Sequence, residues 1–251
     1  MVYFVGAGCG AVDLITVRGK KLLEDADVVI YAGSLVNPDL LKYTRSDCQV
    51  HNSAYMTLDE VIETIENAEK SGKNTVRLHT GDPSIYGAIH EQMDRLEELG
   101  ILFEICPGVS SFCGAAAALK AEYTLPDVSQ SVIITRMAGK TNVPAKESIE
   151  KFAEHGATMV IFLSAGMLAE LSKRLINGGY SPNSPAAIVY KASWDDEKVV
   201  RCTVAELAEA AKKNGIKKTA LITVGDFLGD RYSLSKLYDE KFETEFRKAR
   251  S

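Results

Sequence analysis

The sequence carries no export leader, no long apolar run and no surplus of positive charge. Its start, Met1-Val2-Tyr3-Phe4-Val5, lacks a basic leader and reaches Gly6 at once. Its most apolar stretch, Val109 to Leu119, is interrupted by Ser110, Ser111, Cys113 and Gly114. It falls short of the roughly 18 residues a spanning helix needs, so no membrane partner is expected. The formal net charge is −5, from 29 Lys+Arg against 34 Asp+Glu. That balance argues against a nucleic-acid footprint but leaves room for a small basic pocket. The 5 cysteines, at positions 9, 48, 106, 113 and 202, are odd in number and include no C-x-x-C pair. They read as free thiols in a reducing cytoplasm, without a disulfide framework or zinc site. The 4 histidines, at positions 51, 79, 90 and 155, show no metal spacing. His90-Glu91-Gln92-Met93-Asp94 lacks the second histidine of a zinc-protease helix, so no metal is expected.

What is present reads as a soluble globular α/β chain. The 251 residues are 46% hydrophobic and 25% charged, enough for one large domain or two smaller ones. Short apolar runs predict strands at Val2–Val5, Val28–Tyr31, Thr75–Leu78 and Leu102–Cys106. Thr57-Leu58-Asp59-Glu60 is a capping box ahead of Val61, Ile62 and Ile65 at helical spacing. Ser84 to Leu99 places Ile85, Ile89, Met93 and Leu96 on one helical stripe, with Gly100 as its stop. Strands alternating with helices predict a parallel, helix-covered sheet. The pattern breaks around Ala121 to Gln130, which divides the chain into α/β domains at 1–120 and 121–251. The second half predicts strands at Ser131–Thr135, Met159–Leu163, Ala186–Tyr190, Lys198–Cys202 and Thr219–Val224. Its helices are Ala145–Glu154, Gly166–Ile176 and Thr203–Lys213, the last opened by a second capping box. Asp239 to Ser251 reads as a solvated helix or tail.

Several motifs fall short of the chemistry they suggest. Gly6-Ala7-Gly8-Cys9-Gly10-Ala11 has the form of a dinucleotide loop. The second strand, however, ends in Tyr31-Ala32-Gly33-Ser34, with no acid to hold a ribose. Gly139-Lys140-Thr141 is half of a phosphate loop, and Gly108-Val109-Ser110-Ser111-Phe112 lacks the last glycine of a nucleophile elbow. Two loops remain. Thr80-Gly81-Asp82-Pro83-Ser84 and Cys106-Pro107-Gly108-Val109-Ser110-Ser111 each follow a strand and open a helical pattern. In open α/β sheets that is where ligands bind. Pro83 suits a first helical turn and Ser84 a cap; the loops are either ordinary strand-to-helix turns or one pocket wall.

Read together, Gly6-Ala7-Gly8-x-Gly10, Leu14-Ile15-Thr16, Ala26 through Tyr31, Gly81-Asp82-Pro83-Ser84-Ile85-Tyr86-Gly87 and Pro107-Gly108-Val109-Ser110-Ser111 resemble the tetrapyrrole (precorrin) methyltransferase family. Tyr31 through Pro38 and Ile134-Thr135-Arg136-Met137 resemble its branch acting at C11 of precorrin-4 in cobalamin synthesis. The resemblance implies a two-domain α/β homodimer with a cofactor trough between the domains, and S-adenosylmethionine as methyl donor. It assigns cofactor contacts to Thr80, Gly81, Asp82, Ile85, Ser110 and Ser111, and further ones to Phe162, Leu163, Ala192, Thr219 and Ala220. It turns the glycine loop, with Gly8 and Gly10, toward the tetrapyrrole. The family commonly reads Gly-Pro-Gly-Asp-Pro in that loop. Gly8-Cys9-Gly10-Ala11-Val12 lacks both prolines and the acid, which predicts a less rigid loop.

Methyl transfer from a sulfonium to carbon asks mainly for positioning. Asp82 either faces the donor's positive charges or fixes its own loop through backbone N–H groups, and it is the one catalytic candidate. The carboxylates of a precorrin call for cations, and Arg18, Arg136 and Lys140 are the candidates, beside Lys20 and Lys21. No general base stands out. Two other readings are a sister methyltransferase acting on a different carbon or acceptor, and a cofactor-binding module without turnover.

Overall fold

The computed structural model describes residues 1–33 and 35–249. Ser34, at the end of the second predicted strand, and Arg250 and Ser251, at the end of the predicted tail, lie outside the described residues. The chain forms two compact units, Met1–Ala118 with Lys191–Glu197, and Leu119–Tyr190 with Lys198–Ser251.

The first unit is built on five parallel strands: β1 (Val2–Gly6), β2 (Val28–Tyr31), β3 (Gln49–Asn52), β4 (Thr75–His79) and β5 (Phe103–Cys106), in the order β3-β2-β4-β1-β5. Alternation along the strands feeds two cores. On one face Val2, Phe4, Val28 and Ile30 pack with Val61, Ile62 and Ile65 of α2 (Leu58–Lys70) and Leu96 of α3 (His90–Glu98). On the other, Val5, Val29, Val76 and Leu78 pack with Leu23 of α1 (Val17–Glu24) and with Leu40. The Thr57–Glu60 capping box forms as expected at the start of α2. The last helix of the unit is α4 (Ser111–Leu119).

The second unit holds β6 (Val132–Arg136), β7 (Thr158–Phe162), β8 (Pro185–Tyr190), β9 (Lys198–Thr203) and β10 (Ala220–Val224), ordered β6-β7-β10-β8-β9. Only β6 and β7 run parallel; the other pairs are antiparallel. Met159, Ile161, Ile188 and Ile222 bury against Ile149 of α5 (Ile149–Ala153), Leu171 and Leu175 of α6 (Leu168–Asn177) and Leu207 of α7 (Leu207–Lys213).

Three expectations need correction. The helix predicted from Ser84 begins at His90. Tyr86 (φ 56°) and Ala88 (φ 50°) adopt left-handed backbone, which no helix tolerates, so Ser84 caps nothing and Pro83 opens a turn. The helix predicted over Ala145–Glu154 is a 3-10 turn at Ala145–Glu147 followed by α5, because Ser148 is extended and caps Lys151 with its hydroxyl. The helix predicted from Thr203 begins at Leu207, because Thr203 ends β9 and its bonds to Glu206 brace the intervening turn. Of the helix or tail read at the end, residues 239–249 form the tail, with turns and no helix.

Candidate functional site

Strand order brings the two loops together. With β1 between β4 and β5, the segments leaving their carboxyl ends flank the one leaving β1. Gly6, Gly81 and Gly108 let the three backbones nearly touch. A Cβ on Gly108 would lie 2.2 Å from the Gly81 carbonyl oxygen, and one on Gly6 would lie 2.5 Å from the Gly108 Cα. The Gly8 and Gly81 backbones exchange hydrogen bonds, Gly81 N–H donating to Gly8 at 2.9 Å and Gly8 N–H to Gly81 at 3.3 Å. The Ala7 N–H donates to the His79 carbonyl at 2.7 Å.

Asp82 ties the second loop to the third. Its Oδ2 accepts from Gly108 N–H at 2.9 Å, and its Oδ1 accepts from Ser84 N–H at 2.8 Å and from the Ser84 hydroxyl. Burial pushes the carboxyl up, but the hydrogen bonds from Ser84 and Gly108 outweigh it and hold the group below the usual carboxylate range. Ser110 is buried, and its carbonyl accepts from Cys113 and Gly114 N–H at the start of α4. The Thr80 Oγ1 is buried and has no hydrogen-bond partner among the described residues. Next to it His79, 4% exposed, is pushed down to about 3 by burial and by the Arg77 charge. The turn that follows carries Ile85, whose N–H donates to the Asp82 carbonyl at 3.2 Å.

The glycine loop is anchored despite its missing prolines. Ala11 N–H donates to Ser193 Oγ at 3.0 Å, Cys9 Sγ lies 3.3 Å from the same hydroxyl, and Asn37 Nδ2 donates to the Gly10 carbonyl at 3.0 Å. A Cβ on Gly10 would meet the Trp194 ring at 2.3 Å and the Ala192 carbonyl oxygen at 2.6 Å. The connection between β8 and β9, residues 191–197, thus packs in the first unit against this loop. Tertiary contacts supply the restraint that proline would have supplied locally. Ala192, read from sequence as an end-of-strand residue of the second half, sits in that connection, buried beside Gly10 and Gly114. Nothing in the local pattern of Lys191-Ala192-Ser193-Trp194 announces this packing.

Within the second unit, the carboxyl ends of β6 and β7 and the start of β10 share one rim. It carries Arg136, Phe162, Leu163, Thr219 and Ala220. Leu163 (φ 53°) and Thr219 (φ 55°) are both left-handed, and Leu163 is 62% exposed. The Arg136 guanidinium donates to the carbonyls of Met137 (3.1 Å), Thr141 (3.2 Å) and Asn142 (2.8 Å), bracing the loop that bears exposed Lys140. Carbonyls do not cancel its charge. Arg18 is exposed on the first turn of α1, while Lys20 and Lys21 pair with Glu24 and Asp25 at 3.4 and 2.9 Å on a solvated face.

All 5 cysteines are free thiols. Among the described residues no group of three or more His, Cys, Asp or Glu converges, and no helix is long and apolar enough to cross a membrane.

Residues 1–208 match the Tetrapyrrole (Corrin/Porphyrin) Methylases. The chain is 56% identical to a cobalt-precorrin-4 C(11)-methyltransferase of Methanocaldococcus jannaschii, over 99% of this chain and 96% of that protein. Among solved structures it is similar to a cobalt precorrin-4 methyltransferase described as a cobalamin biosynthetic enzyme, with a TM-score of 0.89, 47% identity, and coverage of 91% of this chain and 96% of that one. It is also similar to a uroporphyrin-III C-methyl transferase from Thermus thermophilus complexed with S-adenosyl homocysteine, with a TM-score of 0.76, 26% identity, and coverage of 90% and 92%.

Proposed function

The chain belongs to the Tetrapyrrole (Corrin/Porphyrin) Methylases, and on that premise we propose that it transfers a methyl group from S-adenosylmethionine to C11 of precorrin-4, or of cobalt-precorrin-4, in cobalamin biosynthesis. The observation that carries this reading is the meeting of three loops at Gly6, Gly81 and Gly108, where the parallel strands β4, β1 and β5 end. The residues there fit the donor. The orphaned Thr80 hydroxyl is a polar partner awaiting a ligand group, and a backbone-lined wall suits a molecule that brings its own reactivity.

When bound, S-adenosylmethionine supplies a methyl already activated on a sulfonium. The protein's part is placement, with donor and acceptor carbon held roughly 3–3.5 Å apart. We assign cofactor contacts to Thr80, Gly81, Asp82, Ile85, Ser110 and Ser111, and further contacts to Phe162, Leu163, Ala192, Thr219 and Ala220. Asp82 also holds the second and third loops in register through Ser84 and Gly108. Gly8 and Gly10 set the backbone that faces the tetrapyrrole. Arg18, Arg136 and Lys140 meet its carboxylates, where charge-assisted hydrogen bonds are strongest. His79 is too weak a base to take a proton near neutral pH.

We further propose a cytoplasmic homodimer. Free cysteines agree with a reducing compartment, and light scattering tests the dimer. The reaction is tested in two steps. Calorimetric titration should show S-adenosylhomocysteine binding to the folded protein; its absence ends the cofactor reading. Isotope-labelled donor with precorrin-4 and with cobalt-precorrin-4 should then give one added methyl at C11. Binding without product ends the acceptor reading, and a label at another carbon reassigns the position.

A further inference from the structure

A buried guanidinium without a carboxylate partner among the described residues crosses the core of the first unit. Arg77 lies on β4, 6% exposed, and burial lowers its pKa to about 10, so it remains charged at neutral pH. Its Nη1 donates to the Ile30 carbonyl on β2 at 3.0 Å, and its Nε donates to Gln92 Oε1 on α3 at 2.9 Å. Gln92 is itself 5% exposed, and its Nε2 donates to the Ala88 carbonyl at 2.9 Å. Ala88 and Tyr86 are the two left-handed residues that stop the chain from becoming helical between Asp82 and His90. Such residues persist only where surrounding contacts over-determine them. Gln92 meets that requirement with both ends of its amide, one oriented by Arg77 and the other gripping the strained turn. An arginine kept dry at such cost needs a reason beyond filling space, since an apolar residue would fill it more favourably.

We propose that Arg77 and Gln92 are positioning residues for the methyl donor: their hydrogen-bonded relay from the Ile30 carbonyl to the Ala88 carbonyl fixes the turn that presents Ile85 to it. This deepens the proposed function and rests on it for the identity of the ligand. The relay makes no contact with the reacting atoms and acts only through the backbone of 85–88.

Gln92→Glu separates positioning from packing. The carboxylate keeps the volume and pairs with Arg77, but it cannot donate to the Ala88 carbonyl. The expected results are a melting temperature lowered by no more than a few degrees, faster amide exchange in the apo protein confined to 84–89, and S-adenosylhomocysteine affinity weakened about five- to tenfold, the fold-change that a lost hydrogen bond of ordinary strength gives. The turnover number at saturating donor should hold, so the defect lies in the donor's KM. If Gln92→Glu does not fold, Arg77→Lys, which keeps the charge but loses the fork, is expected to give the same local exchange and affinity loss. Faster exchange at 84–89 with unchanged affinity overturns the proposal, as does weakened affinity with unchanged exchange. A wild-type protein that fails to bind S-adenosylhomocysteine would instead overturn the cofactor reading, and exchange in the apo variant would still test the relay itself.

Discussion

A single added carbon at Gly108 would sit 2.2 Å from one backbone and 2.7 Å from another, where no flexible side chain can yield. Gly108→Ala is therefore expected to destabilise the protein by about 1–3 kcal/mol, the usual cost of overpacking, and to abolish measurable S-adenosylhomocysteine binding. Chemical denaturation and calorimetry check the two halves. Asp82 gives a pH test. Its carboxyl is held below the usual range in the folded protein, so its stabilisation is present above the ordinary carboxylate pKa and is lost as pH falls through the lowered one. Asp82→Asn should be less stable than wild type at neutral pH, and the two denaturation curves should converge in acid. A constant gap down to low pH would show that the charge contributes nothing. The sequence left two roles for Asp82 because an aspartate between glycine and proline suits either. The structure shows the loop-fixing bonds, from Ser84 to Oδ1 and from Gly108 to Oδ2, while the carboxylate keeps room to accept a further donor.

At the level of elements, legibility followed burial. The four strands read as apolar runs in the first half are all present, and so are the five of the second half. The one strand that escaped, β3, is Gln49-Val50-His51-Asn52 at the sheet edge, with exposed Val50 and no apolar run to find. Of the stripe Ile85, Ile89, Met93 and Leu96, the last three pack in the core, while Ile85 precedes the left-handed Tyr86 and Ala88 and lies outside the helix. Local periodicity cannot see a hydrogen bond between elements such as Arg77 to Gln92. The same limit hid residues 191–197. Their effect is testable because Trp194 is the sole tryptophan and lies against Gly10. Ser193→Ala removes the hydroxyl that accepts from Ala11 N–H, at a cost of about 0.5–1.5 kcal/mol. It should shift the Trp194 emission and raise the tetrapyrrole KM, while S-adenosylhomocysteine affinity stays within twofold. An unshifted emission spectrum would mean the glycine loop does not depend on that contact.

For the whole molecule, the stability of the fold and the occupancy of the site are linked quantities. A ligand that binds only the folded chain adds about 2.7 kcal/mol when present at one hundred times its Kd. For a protein of 251 residues each kcal/mol moves the melting temperature by roughly 2–4 °C, so saturating S-adenosylhomocysteine should raise it by roughly 5–10 °C. Nicotinamide dinucleotides should give no shift, because the glycine loop has its backbone committed to Gly81 and Asn37 and no acid follows β2 to hold a ribose. The control is a surface change. Lys42→Ala breaks an exposed pair with Asp39 that is worth at most about 1 kcal/mol, so it should leave the ligand-induced rise intact. Gly108→Ala should lose the rise even when its own lower melting temperature is taken as the baseline. If Gly108→Ala keeps the full shift, the donor does not lie against the meeting point of the three loops, whatever the rest of the family does.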